Sequence, residues 1–381
     1  RRVGVEHVLV STVRGHSSGH TEDQDEQPGS GRYRSSGGRL PVAYAGQPPA
    51  RAEKLSTRRP VVGVLDTGCG EHDWLVDGVR RDVGYPDASG VMHRIGLGNA
   101  VEPPDPEQID RGGDFEGPID GVTDPFSGHG TFICGLIRQG CPNADIYSWR
   151  VVPSTGLIRE SDVINALAGI LNLVRSGTRI DVLNLSMGHY HELNDSAVSV
   201  PDRVRAVAEA DPAAVELLQA LSGLGVAVVC SAGNDATARP MFPAAYAMLG
   251  GLAAGWPVPI TAVGSLNPNR ATVSIRSNTG VWVSAYQPGT HVFSTLPSYQ
   301  GGYEPTNRTR AFGWTRESVD PDDFTRRGGR GGFGLWNGTS FAAPIHGALI
   351  AAAVERKLSD GEVSPDQLGG IVTELAGNLP G

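Results

Sequence analysis

With 381 residues, 39% of them hydrophobic and 19% charged, the chain has material for a large core, which excludes wholesale disorder and allows one or two domains. Lys and Arg total 32 against 41 Asp and Glu, a net charge of −9, which leaves no electrostatic footprint for nucleic acid or an anionic membrane. Neither is an expected partner, and with Lys54 and Lys357 the only lysines, the positive charge is almost wholly Arg.

The sequence begins at Arg1 with neither Met nor an apolar signal region, which reads as a processed or trimmed form. Residues 5–13 have the β-branched, partly alternating look of a strand, whereas residues 15–38 are dense in Ser, Gly, Asp, Glu and Arg and read as a linker. Residues 1–58 are thus expected to be an extension, either the remnant of an inhibitory prosegment or a segment wrapped on the surface. From residue 60 the texture changes. Short apolar runs at 61–65, 146–152, 182–185, 226–230 and 260–263 alternate with helical patterns at 161–175 and 212–224. Apolar strands separated by helices mean βαβ units, so the fold class is doubly wound α/β, a mostly parallel sheet with helices on both faces, over residues 59–381.

Two stretches read as inserted loops. Residues 101–127 carry eight acidic residues against Arg111, and residues 298–334 are rich in Gly and Arg. Residues 244–264 run uncharged for about the length of a membrane span. Pro257, Pro259, Gly250 and Gly251 interrupt them and basic flanks are missing, so they read as strand, turn and strand with no membrane anchor. Cys69, Cys134, Cys141 and Cys230 lack zinc-site spacing and read as buried, reduced thiols. That favours a cytoplasmic, reducing compartment, with secretion after loss of a signal segment as the alternative.

Four polar residues stand where chemistry collects. Asp66 closes the run 61–65 and precedes Thr67 and Gly68, at the carboxyl end of a strand, where open α/β sheets bind and react. Asp-Thr-Gly also serves aspartic proteases, but those need two such carboxylates and no second copy occurs here; a lone Asp at this place is commonly a turn or cap residue. His129 lies between Gly128 and Gly130 at the start of a run, 132–137, that reads as a buried helix. Ser340, in Gly338-Thr339-Ser340-Phe341-Ala342-Ala343-Pro344, leads into an apolar helix with Pro344 expected in its first turn. A serine there faces the positive end of the helix dipole, or simply caps it. Asn234, in Ser231-Ala232-Gly233-Asn234-Asp235, offers an amide donor past a strand end.

The strings V-L-D-T-G, G-H-G-T, N-L-S-M-G, S-A-G-N-D and N-G-T-S-F-A-A-P, in that order, resemble the subtilisin-like serine proteases over residues 59–358. The resemblance implies a serine endopeptidase acting on polypeptides through an acyl-enzyme, with Ser340 as nucleophile, His129 as base, Asp66 holding the imidazole and Asn234 binding the oxyanion. It implies a peptide lying as an added strand between Ser186-Met187-Gly188 and Gly156-Leu157-Ile158, and a primary pocket walled by Ala232, Gly233 and Met241. No cofactor and no metal are implied, and the chain is expected to be a monomer. Two departures are polar to apolar: Phe132 and Ile345 stand where the family usually has His. The short connection between the His129 helix and Cys141-Pro142-Asn143-Ala144 leaves out a calcium loop common in relatives, and His189 and His191 read as surface loop residues, not metal ligands. The acidic loop would bias cleavage toward sites with Arg or Lys nearby, or pair with arginines of the second insert such as Arg326, Arg327 and Arg330. A narrow processing peptidase and an inert peptide-binding scaffold are the alternatives to a broad protease.

Overall fold

Strand runs this apolar can be satisfied only with both faces covered. The computed structural model describes residues 8–11, 39–42, 46–97, 113, 124–153, 156–193, 198–252, 255–297, 308–317 and 332–376. Its elements begin with β1 (Val8–Ser11), β2 (Leu40–Pro41), β3 (Val61–Asp66), β4 (Val79–Arg81), β5 (Tyr85–Pro86), β6 (Met92–His93), α1 (His129–Gly140), β7 (Asp145–Arg150), β8 (Leu157–Arg159) and α2 (Glu160–Arg175). There follow β9 (Val182–Leu185), β10 (Met187–Gly188), α3 (Val200–Ala210), α4 (Pro212–Gly223), β11 (Ala227–Ser231), the one-turn α5 (Leu249–Leu252), β12 (Thr261–Leu266), β13 (Ala285–Pro288) and β14 (Val292–Thr295). The hairpin β15 (Arg308–Ala311) and β16 (Trp314–Glu317), then β17 (Phe333–Trp336), α6 (Thr339–Lys357) and α7 (Pro365–Ala376), complete the order.

Seven strands form one sheet in the order β13-β12-β11-β9-β3-β7-β4, every pairing parallel. Side chains alternate across it, so β11 sends Val228 and Cys230 into a core with α2, α3 and α4, and Ala227 and Val229 into a second core with α1, α6 and α7. Because β3, β9 and β11 are neighbours, the loops leaving their carboxyl ends open at one place. On the second face α1 meets α6 closely, and a Cβ on Gly140 would stand only 2.6 Å from that of Ala348.

The extension is built into this body. Arg58 grips the buried Asp181 with two hydrogen bonds of 2.8 Å, Arg51 donates to the Ala144 carbonyl and pairs with Asp145, and β2 adds a strand to β17. The strand β1 is the middle strand of a sheet ordered β10-β1-β8, antiparallel to both neighbours.

Local geometry departs from the sequence expectations at four places. Residues 244–264 begin with a 3-10 helix (Ala244–Met248) and α5 before β12, because Ala and Met between the Pro243 and Gly250 breaks coil more readily than they extend. No helix among the described residues is long and apolar enough to cross a membrane. The second insert carries the β15 and β16 hairpin, and its end belongs to β17, which pairs with β14. His189 and His191 are buried, the former against Phe242. Finally α6 starts at Thr339, so Pro344 falls in its second turn rather than its first. Most of the acidic stretch 101–127 and residues 15–38 lie outside the described residues, as do Arg326, Arg327 and Arg330. All four cysteines are buried.

His346 on α6 is fully buried; its Nδ1 stands 3.4 Å from Gln287 Nε2 and its Nε2 has no hydrogen-bond partner among the described residues. Burial penalises the imidazolium and holds the pKa at about 4, against 6.5 for an unperturbed His. Between those values the unfolded chain binds a proton that the folded chain refuses, so stability falls as pH drops from 6.5 toward 4, by up to about 3 kcal/mol, and levels off below. Denaturant titrations from pH 7 to 4 should show this decline in the parent and a shallower one in His346→Leu; parallel curves would remove His346 as its source.

Candidate active site

Asp66 ends β3 with its side chain fully buried. A carboxylate there must be fed by donors, and Oδ1 accepts from the Thr67 amide at 2.8 Å and from His129 Nδ1 at 2.7 Å. Since the carboxylate only accepts, the proton of that second bond sits on Nδ1, and Nε2 is left as the acceptor nitrogen. His129 opens α1, after Gly128 at φ 79°. Thr67 Oγ1 accepts from the Gly130 amide at 2.8 Å, and Thr131 Oγ1 accepts from the Gly70 amide at 2.7 Å, lacing the two segments together. The approach demands glycine at 130, where a Cβ would lie 2.1 Å from the Gly68 carbonyl oxygen.

The imidazole is boxed by rings, Trp336 edge-on at 5.6 Å and Phe341 at 5.2 Å. Phe132, the first departure from the family pattern, packs on those same two rings at 5.5 and 4.6 Å, so an aromatic cluster occupies the volume behind the His. Phe341 follows Ser340, which brings the start of α6 beside the imidazole. Nε2 of His129 makes no hydrogen bond among the described residues, so the bond to a serine hydroxyl is not formed in this structure. Such bonds are commonly long before substrate is bound.

Ser340 is buried in the first turn of α6. Pro344 has no N–H to give the Ser340 carbonyl, and Ser186 Oγ supplies that bond instead at 2.9 Å, itself accepting from Asn184 Nδ2 at 2.9 Å. Asn234 turns its Oδ1 toward the Thr339 amide at 2.8 Å, which assigns the other end of the amide as Nδ2 and leaves it 3.3 Å from the place of a Gly338 Cβ. The serine segment and the asparagine loop are also joined by Gly233 N donating to Thr339 Oγ1 at 3.0 Å.

One residue here carries no sequence signal. The buried Asn278 holds the loop 232–237 from within: Nδ2 donates to the Ala232 carbonyl at 2.9 Å, and Oδ1 accepts from the amides of Asp235 and Thr237 at 3.1 and 3.2 Å. Its Nδ2 also reaches the Tyr190 hydroxyl at 2.8 Å, and that hydroxyl donates to Asp235 Oδ2 at 2.7 Å. Burial, first, and the Asp235 carboxylate push the Tyr190 pKa upward, so it stays a donor. In the string Arg-Ser-Asn-Thr-Gly nothing separates Asn278 from an ordinary turn residue.

The expected binding residues cluster in two places. Met241 is buried between Gly188 and Gly233: a Cβ on the first would meet its Cε at 2.6 Å, and on the second its Sδ at 2.7 Å. Phe242 and His189 exchange backbone hydrogen bonds of 2.9 Å, which fixes that turn to the strand holding Ser186, Met187 and Gly188. Across the groove Gly156 rests on the Phe126 ring, Ile158 is buried and Leu157 is exposed. Between the two edges runs β1, with Val8 opposite Arg159, Leu9 opposite Ile158, Val10 opposite both Leu157 and Gly188, and Ser11 opposite Met187. Its carboxyl end therefore points toward Ser186 and Ser340. Among the described residues no group of three or more His, Cys, Asp and Glu is arranged to hold a metal ion.

The family model described as the subtilase family matches residues 57–378. No curated protein matches the sequence. Among solved structures, a lanthipeptide protease aligns with a TM-score of 0.53 at 19% identity, covering 82% of this chain and 78% of the other. A protease from Pseudoalteromonas arctica PAMC 21717 aligns at 0.51 and 20% identity, covering 83% of each chain. At such identities these likenesses speak for the fold.

Proposed function

The chain belongs to the subtilase family and is a serine endopeptidase, and on that premise we propose that Ser340, His129 and Asp66 carry its chemistry. The observation that carries the reading is the buried 2.7 Å contact between Asp66 and His129 Nδ1, beside the helix start that bears Ser340. Ser340 Oγ attacks the substrate carbonyl carbon and passes its proton to His129 Nε2, and Asp66 stabilises the resulting imidazolium. Asn234 Nδ2 and the Ser340 N–H donate to the oxyanion. Collapse expels the amine, which takes the proton from His129, and water then hydrolyses the acyl-enzyme by the same steps.

The substrate is a polypeptide, and β1 supports a specific path for it. A segment antiparallel to both β8 and β10, running toward Ser340, is the arrangement a bound acyl-side peptide would take, so β1 and a substrate compete for one groove. This favours an inhibitory role for the start of residues 1–58, with residues 59–381 as the body of the catalytic domain. Gly156, Leu157, Ile158, Ser186, Met187 and Gly188 form the edges, and Ala232, Gly233 and Met241 the wall of the primary pocket. Met241 narrows that wall, which favours medium apolar side chains over Tyr or Trp.

Ser340→Ala should abolish both peptidase activity and labelling by a fluorophosphonate with the fold intact; retained turnover would end the assignment. Asn234→Ala should lower kcat by roughly two to three orders of magnitude with little change in KM, the effect known for loss of such a donor in subtilisin itself. A defect confined to KM would make Asn234 a turn residue only. With Met241→Gly, cleavage after large aromatics should rise relative to cleavage after Leu, and an unchanged ratio would place the pocket elsewhere. Val10→Pro removes an amide donor from the middle strand, so β1 should dock more weakly and KM for a peptide added in trans should fall. An unaltered KM would mean that β1 does not obstruct the groove.

A further inference from the structure

Arg39 lies outside the family match at 57–378, yet only 1% of it is exposed. Its guanidinium reaches one turn three times: Nη1 donates to the carbonyls of Ser127 at 2.6 Å and Pro125 at 3.4 Å, and Nη2 to that of Asp124 at 2.6 Å. That turn leads directly into Gly128 and His129, and the His129 amide itself closes onto the Phe126 carbonyl at 3.1 Å. The face of the same guanidinium lies 4.8 Å from the centroid of Trp336, whose ring is one wall of the imidazole box. One side chain therefore touches both supports of the imidazole, the backbone that delivers it and a ring that confines it. A planar fork of fixed donors suits three carbonyls and an aromatic face at once, a task that a lysine ammonium meets only in part. Other arginines of the extension do different work: Arg51 and Arg58 reach the amino ends of β7 and β9, at the end of the sheet opposite the site.

We propose that Arg39 is a positioning residue for the general base, and hence that the functional unit reaches back to Arg39 and does not begin at the family-matched residues. The inference rests on His129 being that base. A displacement of the imidazole of about 1 Å costs on the order of a hundredfold in rate, which sets the scale expected when the clamp is removed.

The test uses the full chain, with active sites titrated by a fluorophosphonate so that unfolded protein is not counted as slow enzyme. Arg39→Gln should lower kcat per titrated site by roughly ten- to a hundredfold while KM stays close to the parent value. Arg39→Lys should fall between the two, and added guanidinium ion should restore part of the activity of Arg39→Ala. Arg51→Gln, which loosens the same extension away from the site, should lower the melting temperature without changing kcat per site. Should Arg39→Gln fail to fold, Arg39→Lys decides by the same split. Unchanged kcat per site in the folded Arg39 variants, or an equal loss in Arg51→Gln, would overturn the proposal. Failure of the underlying reading is distinguishable, since the parent would then not be labelled, or Ser340→Ala would still be.

Discussion

A carboxylate sealed at the end of a parallel strand is the constraint on which the site depends. Asp66 sits in a sheet whose two faces are both packed, so solvent cannot pay its desolvation, and the amide of Thr67 and the ring of His129 must. That requirement brings α1 against the β3 turn and forces glycine at 130, where nothing larger clears the Gly68 carbonyl. It also decides the imidazole tautomer, because an acceptor-only partner puts the proton on Nδ1 and the lone pair on Nε2. Geometry and tautomer at His129 thus follow from one burial decision.

On the side of Ser340 a backbone defect does the comparable work. Proline in the second turn of α6 withholds the amide that would close onto the Ser340 carbonyl, and the vacancy is filled by a hydroxyl from the neighbouring strand end. Ser186, fixed in turn by Asn184, thereby ties the edge of the peptide groove to the residue that would attack the peptide. The Thr339 amide and hydroxyl make the equivalent tie to the Asn234 loop, and Asn278 stiffens that loop from behind. The proposed binding edge, the Ser340 segment and the Asn234 loop share one network, so their relative positions are set without substrate.

The sheet was legible because buried parallel strands are short apolar runs, and the runs ending at Leu65, Leu185 and Cys230 mark β3, β9 and β11 within a residue. The family was legible because its chemistry needs particular residues beside glycine. What escaped was long-range. Asn278 and Arg39 act on backbone groups far away in sequence, and a residue that satisfies carbonyls leaves no spacing or partner motif of its own. Pro344 reads a turn too early from the sequence because a helix start cannot be read to better than a few residues when its cap is a glycine. The strand β1 looked like a strand, but its place between β8 and β10 depends on a groove made by residues more than a hundred positions on.

The two tasks proposed for the extension pull in opposite directions. A strand that fills the groove must leave before a peptide can bind, whereas a guanidinium that supports the imidazole must stay through every turnover. If both belonged to one rigid segment, clearing the groove would dismantle the base. In sequence they are separated by 27 intervening residues, a chain length whose extended limit is roughly 90 Å, many times the width of a groove. The anchoring between Arg39 and Arg58 is held by β2 and three buried or half-buried arginines, while β1 is held by backbone pairing to two short edge strands. On the proposed reading, such a chain can release β1 from the groove while Arg39 keeps its hold on the turn that leads into His129.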